Sequence, residues 1–324
     1  MDSMSTAEQP RDPVSSERLE ASVRDLFEEE QCPGASVAVI DGTETVLTAG
    51  FGDRQIDPQA PATPETLYGI GSSTKPITAT AVMTLVEDGA ISLTDPVSEH
   101  VPYFEDAPGE PILVEELLSH TSGMPSDDIT AHILMEDVFD ADLDRSVDGW
   151  DAFREYVEES VNRRLVGDDR CLYYNSGYIV LSRLIETVTG TAFPKYVETN
   201  VFDPLGMDRS TFDVSVLEDD SRDSMTPYYE ESEELRATGF PDSPLFHGPG
   251  GVQTSVTDLA KFLTAWNRRD LPFDTALAED MFDPIGTFRT LADGSEINYG
   301  YGWMTRPFGD DTLVGHGGGT GVSA

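Results

Sequence analysis

The chain has 324 residues, enough to bury a sizeable core, and 38% of them are hydrophobic, so it reads as a large globular unit rather than a mini-protein. Its 61 acidic residues against 20 basic ones leave a formal net charge of −41, which repels phosphate backbones and anionic lipid; neither nucleic acid nor a membrane is an expected partner. The surplus acid must sit on the surface, and its spread along the whole chain predicts adaptation to high salt, where self-repulsion is screened over short distances.

Residues 1–15 are polar and proline-bearing and are expected to form a disordered tail, after which Ser15 or Ser16 caps an amphipathic helix running to about Glu30. "ASVAVIDGTETVLTAGFG" follows, two β-rich runs around Asp41-Gly42, a strong hairpin signal. From Ser72 to about Arg269 the apolar periodicity is chiefly helical, over 77–86, 114–118, 150–164, 178–188, 193–201 and 257–266. Acidic or proline-rich connections, notably 126–148 and 218–244, separate these helices, and Asp95-Pro96 reads as a helix cap followed by proline at the first position. Strand character returns in "INYGYGWMTRP" and "TLVGHGGG", joined through Gly309-Asp310-Asp311. Strands at both ends with helices between them predict an α+β architecture, with a sheet part at 16–68 and 285–324 and a helical part at 69–284.

Cys32 and Cys171 are too few for a disulfide framework and lie far apart, so two thiols in a reducing compartment are expected. No C-x-x-C, H-E-x-x-H or calcium-loop pattern occurs, and the five histidines are scattered. Neither a metal nor any other cofactor is expected. The first thirty residues hold no apolar leader and nothing later has the length of a membrane span, which leads to the expectation of a cytoplasmic protein.

Chemistry enters at "YGIGSSTKPITATAVMTLVEDG". Ser72 stands at the start of a predicted helix, and Lys75, three residues on, projects from the same face one turn along. Only three of the 20 basic residues are lysines, Lys75, Lys195 and Lys261, so a lysine here is conspicuous. Arginine could not accept a proton in its place. A free lysine titrates near 10.4, so service as a base at neutrality asks for a fall of about three pH units, worth about 4 kcal/mol, which desolvation against an apolar helix can supply. Alone, S-x-x-K is a weak pattern that reads more readily as a capping serine followed by a solvated lysine. Pro76 also disfavours helical torsions at Lys75, although its missing N–H is harmless in a first turn.

Two further motifs follow in order: Tyr173-Tyr174-Asn175, a Y-x-N at the entry to an apolar helix, and "LVGHGGGTG", which puts His316 before a glycine run. S-x-x-K, Y-x-N and H-x-G in that order resemble the serine β-lactamase and penicillin-binding-protein-like hydrolases, specifically the branch related to class C β-lactamases. The segments "CPGASVAVIDG", "LYGIGSSTK", "LLSHTSGMP", "VFDPLGMDRSTF" and "GPGGVQTSVTDLAKFL" extend the resemblance over about Cys32 to Ala324.

The resemblance implies a β-lactamase/transpeptidase-like fold over 16–324. It implies Ser72 as the acylated nucleophile, Lys75 as its proton partner, and Tyr173 as general base or proton shuttle with its phenolate favoured by Lys75. Asn175 is then a ligand for the substrate carbonyl. His316 stands where the family usually has the lysine of K-T-G, with Gly318 and Gly319 in the substrate-facing glycine run. The N–H groups of Ser72 and Gly319 would form the oxyanion hole. Tyr178 is read as structural, and His120 in "LLSHTSG" as a packing or loop-fixing residue.

Two departures bear on substrate. The middle residue of K-T-G offers a hydroxyl to a substrate carboxylate, whereas Gly317 stands here, and His316 removes a fixed positive charge at neutral pH. A small ester, amide or peptide is therefore expected as substrate in preference to a penicillin. The second departure is that two strands and a closing helix that follow the third motif in the family have no counterpart before Ala324, which leads to the expectation of a truncated frame. Two rivals stand beside this reading. An α/β-hydrolase would use the histidine-glycine run as an oxyanion loop, but that loop should precede its nucleophile, and no G-x-S-x-G is present. The other is a catalytically silent relative that binds a peptide or small molecule in the same cleft.

Overall fold

The residues around Asp41-Gly42 turn as their sequence dictates. Gly42 takes a positive φ of 60°, and strands Gly34–Asp41 and Glu44–Gln55 pair antiparallel, with an irregularity between Val39 and Ile40. A short third strand, Ala60–Pro61, completes this sheet. In the computed structural model, the residues described are 16–30, 32–143, 146–167, 170–217, 219, 222–232 and 234–319. The expected tail at 1–15 and residues 320–324 lie outside them.

Helix Ser16–Glu30 packs on the hairpin, with Phe27 and Phe51 rings 5.8 Å apart and the Arg24 guanidinium 5.2 Å over Phe51. Helix Val256–Arg268 also lies against the hairpin, its first turn capped by Ser255, whose hydroxyl accepts from the Asp258 N–H at 3.3 Å. The C-terminal strands Gly286–Thr290, Glu296–Tyr299, Met304–Phe308 and Asp311–Gly315 form a second antiparallel sheet in chain order. Among the described residues no strand pair joins the two sheets.

Between them lies the helical part. Helix Lys75–Glu87 is apolar on every side, and each residue from Pro76 to Leu85 is buried, as expected of a helix at the centre of a large core. Helix Asn175–Thr189 packs across it, buried from Ser176 to Ser182 and again at Leu184 and Ile185, and ends at Gly190 in the left-handed conformation. Their side chains belong to one continuous core that also takes in Phe153, Phe202, Leu245 and Trp303. The helices predicted from periodicity between 77 and 266 are all present, as Lys75–Glu87, Val114–Leu118, Gly149–Ser160, Asn175–Thr189, Phe193–Val197 and Val256–Arg268.

Some elements differ from expectation. Helix Ile129–Asp137 and hairpin Tyr228–Glu231 with Glu234–Ala237 lie where connections were expected, whereas strand Gly286–Thr290 falls inside the expected sheet part. The hairpin is almost wholly exposed, so it carries no alternation of apolar and polar residues to betray it. Asp95 does not cap a helix. Its carboxylate accepts from the Ser92 N–H at 2.8 Å and from His100 Nε2 at 2.9 Å, bracing the loop before the short 3-10 turn Val97–Glu99. Among the described residues no helix is long and apolar enough to cross a membrane, and no group of His, Cys, Asp and Glu could hold a metal ion.

Candidate active site

Ser72 sits in a 3-10 turn, Gly71–Thr74, that runs directly into helix Lys75–Glu87. Gly71 takes a positive φ of 51°, which lets the chain turn sharply just before the hydroxyl. Lys75 adopts helical torsions, φ −59° and ψ −41°, in spite of Pro76; the proline lies in the first turn, where its missing N–H leaves no bond unmade. Helix Pro244–Gly250 and the residues just after it clasp this turn and the helix it opens into. The Ile70 N–H donates to Val252 O at 3.0 Å, the Val252 N–H to Thr74 Oγ1 at 3.1 Å, and Thr78 Oγ1 to Gly248 O at 2.8 Å.

The Lys75 side chain is completely buried. Its Nζ lies 3.1 Å from Ser72 Oγ and donates to Pro249 O at 2.9 Å. The rings of Tyr173 and Tyr178 flank it at 4.8 and 5.3 Å. Desolvation pulls the Lys75 amine down to about 7, partly countered by the charge of Asp127. Near neutrality a large fraction of Lys75 is thus an uncharged amine. One N–H is spent on Pro249, and its lone pair can accept the Ser72 proton.

Tyr173 precedes helix Asn175–Thr189 and is held from behind by His120. The Leu172 N–H donates to His120 O at 2.8 Å, the Tyr174 N–H donates to His120 Nδ1 at 3.1 Å, and the His120 ring stacks 4.4 Å from Tyr173. His120 therefore fixes the loop and packs, with φ at 58°. Burial and the Lys75 charge hold the imidazole well below its ordinary value, so it is neutral. Tyr178 donates to Leu118 O at 2.7 Å and is buried. Ser72 is hydrogen-bonded to Tyr173, but burial outweighs that bond and raises the phenol far above its usual range. The expected phenolate is not supported: the Tyr173 oxygen stays protonated because its surroundings are apolar and aromatic.

The third motif arrives from the C-terminal sheet. Ser73 Oγ donates to His316 O at 3.2 Å, so the residue after the nucleophile is stitched to this strand end. Gly318 lies so close to the nucleophile turn that a Cβ there would meet Ile70 O at 1.9 Å and Ser73 N at 3.0 Å. Gly317 and Gly319 are open on that side. The ring of His316, expected as a substrate ligand, is turned onto groups of the protein itself. Its Nδ1 faces Gly317 O at 2.6 Å and must donate, so Nε2, 2.8 Å from the Tyr299 hydroxyl, accepts from it. Both ring nitrogens are engaged within the protein. Burial and the Lys75 charge pull the imidazole down to about 4, so it is neutral above that value.

Asn175 opens the apolar helix, but its amide turns elsewhere. Nδ2 donates to Thr130 Oγ1 at 3.2 Å, and Oδ1 is buried with no hydrogen-bond partner. Its position beside Tyr173 matches expectation, whereas contact with Ser72 or Lys75 does not appear among its hydrogen bonds. Sequence reasoning missed two groups outright. Pro249 offers only a carbonyl, which no side-chain pattern can announce. Asp127 follows "SGMPS" in a stretch rich in acid; its Oδ2 accepts from the Ser176 N–H at 3.2 Å, its Oδ1 is buried without a partner, and burial raises it to about 6.

Comparison with known proteins adds to this geometry. A family model described as Beta-lactamase matches residues 19–324. Protein flp of Staphylococcus aureus (strain COL) is 27% identical over 318 residues, covering 94% of this chain and 58% of that protein. The chain thus spans less than two thirds of the length of this relative. The octameric penicillin-binding protein homologue from Pyrococcus abyssi superposes with a TM-score of 0.85 at 32% identity, covering 94% of this chain and 68% of that one. A D-stereospecific amidohydrolase from Streptomyces sp. shares the fold with a TM-score of 0.70 at 23% identity, covering 94% and 86% of the two chains.

Proposed function

The chain belongs to the beta-lactamase family, and we propose that it hydrolyses a small ester or amide through an acyl-enzyme on Ser72. One observation carries this reading: a fully buried amine, drawn down to about 7, stands 3.1 Å from the Ser72 hydroxyl.

In the proposed reaction, Ser72 Oγ attacks the carbonyl carbon as its proton passes to the uncharged Lys75 Nζ. The N–H groups of Ser72 and Gly319 receive the oxyanion, a type of contact whose loss typically costs about 3 to 4 kcal/mol of transition-state stabilisation. As the carbonyl–oxygen or carbonyl–nitrogen bond breaks, the Tyr173 phenol gives its proton to the leaving group and recovers one from the Lys75 ammonium. Water then repeats the sequence on the acyl-enzyme and frees the acid. Tyr173 is suited to donate because burial keeps its proton on, and Lys75 to accept because burial takes its proton off.

The substrate class follows from what faces it. His316 is neutral with both ring nitrogens engaged, and Gly317 brings no hydroxyl, so the strand offers no clamp for a substrate carboxylate. An ester or amide without that carboxylate fits better than a penicillin or a peptide ending in D-alanine. In high-salt buffer, p-nitrophenyl butyrate should be hydrolysed by the parent protein at least about 100-fold faster than by Ser72→Ala, and nitrocefin should be a much poorer substrate. Equal ester hydrolysis by the two proteins would show that the cleft only binds.

A further inference from the structure

We propose that Tyr299 is a positioning residue for the glycine run, its hydroxyl setting the tautomer of His316 and, through it, the peptide that opens Gly317–Gly319. This rests on the reading of that run as one side of the oxyanion hole for acyl transfer to Ser72. Three consecutive glycines have no Cβ to restrict their torsions, so contacts from outside must fix their course. One is the close approach of Gly318 to Ile70 O; another is the His316 ring, whose Nδ1 donates to Gly317 O at 2.6 Å. The peptide from Gly317 to Gly318 is trans and planar, so a carbonyl drawn onto the ring turns the Gly318 N–H away from it. The direction in which the run leaves His316 is decided at this bond.

The bond exists only while Nδ1 holds the proton. Burial keeps the imidazole neutral, so the ring has one proton to place. The Tyr299 hydroxyl, 2.8 Å from Nε2, supplies a donor there and keeps that nitrogen an acceptor. In the opposite tautomer two lone pairs would face each other between Nδ1 and Gly317 O. Tyr299 is itself held still: it is fully buried in strand Glu296–Tyr299, in register with Met304 on one side and Gly286 on the other, and the Ile285 N–H donates to its carbonyl at 3.0 Å. Its ring meets the His120 ring edge-on at 4.6 Å and the Tyr173 ring at 6.1 Å. His120 is locked in turn, because Nδ1 accepts from the Tyr174 N–H and the proton must sit on Nε2. Tyr173 and the glycine run are thus set against one side chain. Mere filling of the space between these rings is the competing account.

The test separates the hydroxyl from the ring. In 15N-labelled parent protein, long-range proton–nitrogen spectra of the His316 ring, assigned by their disappearance in His316→Asn, should place the proton on Nδ1. In Tyr299→Phe, which keeps the ring and removes the donor, the Nε2 signal should move, and phosphonylation of Ser72 should slow about tenfold. His316→Asn puts an amide nitrogen where Nδ1 stands and needs no tautomer, so adding Tyr299→Phe to it should cost less than about twofold. Should Tyr299→Phe not fold, Tyr299→Met fills the space without a donor and is read the same way. A proton on Nε2 in the parent, an unmoved Nε2 signal in the variant, or the same tenfold loss in the His316→Asn background overturns the proposal and leaves Tyr299 as packing. A parent protein whose Ser72 is not phosphonylated instead overturns the underlying reading, so the two failures are told apart.

Discussion

An amine is an odd thing to bury, and Lys75 shows what burial achieves. With no water to solvate it, the ammonium is the costly form, although the ring faces of Tyr173 and Tyr178 offset a part of that cost, so the uncharged base is populated near neutrality. The sign for activity follows: the base form grows as pH rises through about 7, so acylation should fall on the acid side of that value. Lys75→Arg keeps length and charge but cannot give up a proton, so it should lower ester turnover at least about 100-fold at pH 8 while leaving the circular dichroism spectrum unchanged. Turnover within a few fold of the parent would remove Lys75 from the proton path. Ser72 and Lys75 were legible in the sequence as a pair spaced to share one helix face, and their roles, with that of Tyr173, only through the ordered motifs that resemble the family. Asp127 was not, since its influence on Lys75 acts through space across 52 positions of chain that no periodicity links. The direction of the His316 ring was equally hidden, because Tyr299, two strands along in the same sheet, decides it.

At the scale of elements, the site is a junction of three. The 3-10 turn at Gly71–Thr74 carries Ser72, the entry to helix Asn175–Thr189 carries Tyr173, and the end of strand Asp311–Gly315 leads into His316 and the glycines. The first and third touch backbone to backbone at Gly318, where a methyl group has no room against Ile70 O. Gly318→Ala should therefore push the strand end from the nucleophile turn. Because a misplacement near 1 Å costs catalysis about 100-fold, phosphonylation of Ser72 should slow by roughly that factor, with thermal unfolding little changed. Unaltered labelling would mean the glycine run takes no part. The long helices could be drawn from their apolar period, and the Asp41-Gly42 hairpin from its turn. The hairpin of Tyr228–Glu231 and Glu234–Ala237 could not, for its side chains are nearly all in solvent and leave no pattern.

For the whole molecule, the governing quantity is a net charge of −41 on a chain with an ordinary apolar core. Exposed ion pairs such as Arg24–Glu20 and Arg154–Glu158 neutralise a few carboxylates, each worth little in water. Most of the acid remains as mutual repulsion, which weakens the folded state until salt shortens its reach to about 3 Å at 1 M. The unfolding temperature should climb as KCl is raised from 0.1 M to 3 M; a flat curve would detach the composition from salt adaptation. The charge itself was plain from counting residues. That the N-terminal and C-terminal strands pair in two separate antiparallel sheets needed coordinates, since strand partners far apart in sequence leave no local mark.

The most direct measurement is chemical: incubate the protein in high salt with a fluorophosphonate, then locate the adduct by intact mass and peptide mapping. A single adduct on Ser72, faster at pH 8 than at pH 6 and missing from Ser72→Ala, is the predicted result. An unmodified mass in folded protein, or an adduct elsewhere, would contradict the assignment of Ser72 and Lys75 as a working nucleophile and base.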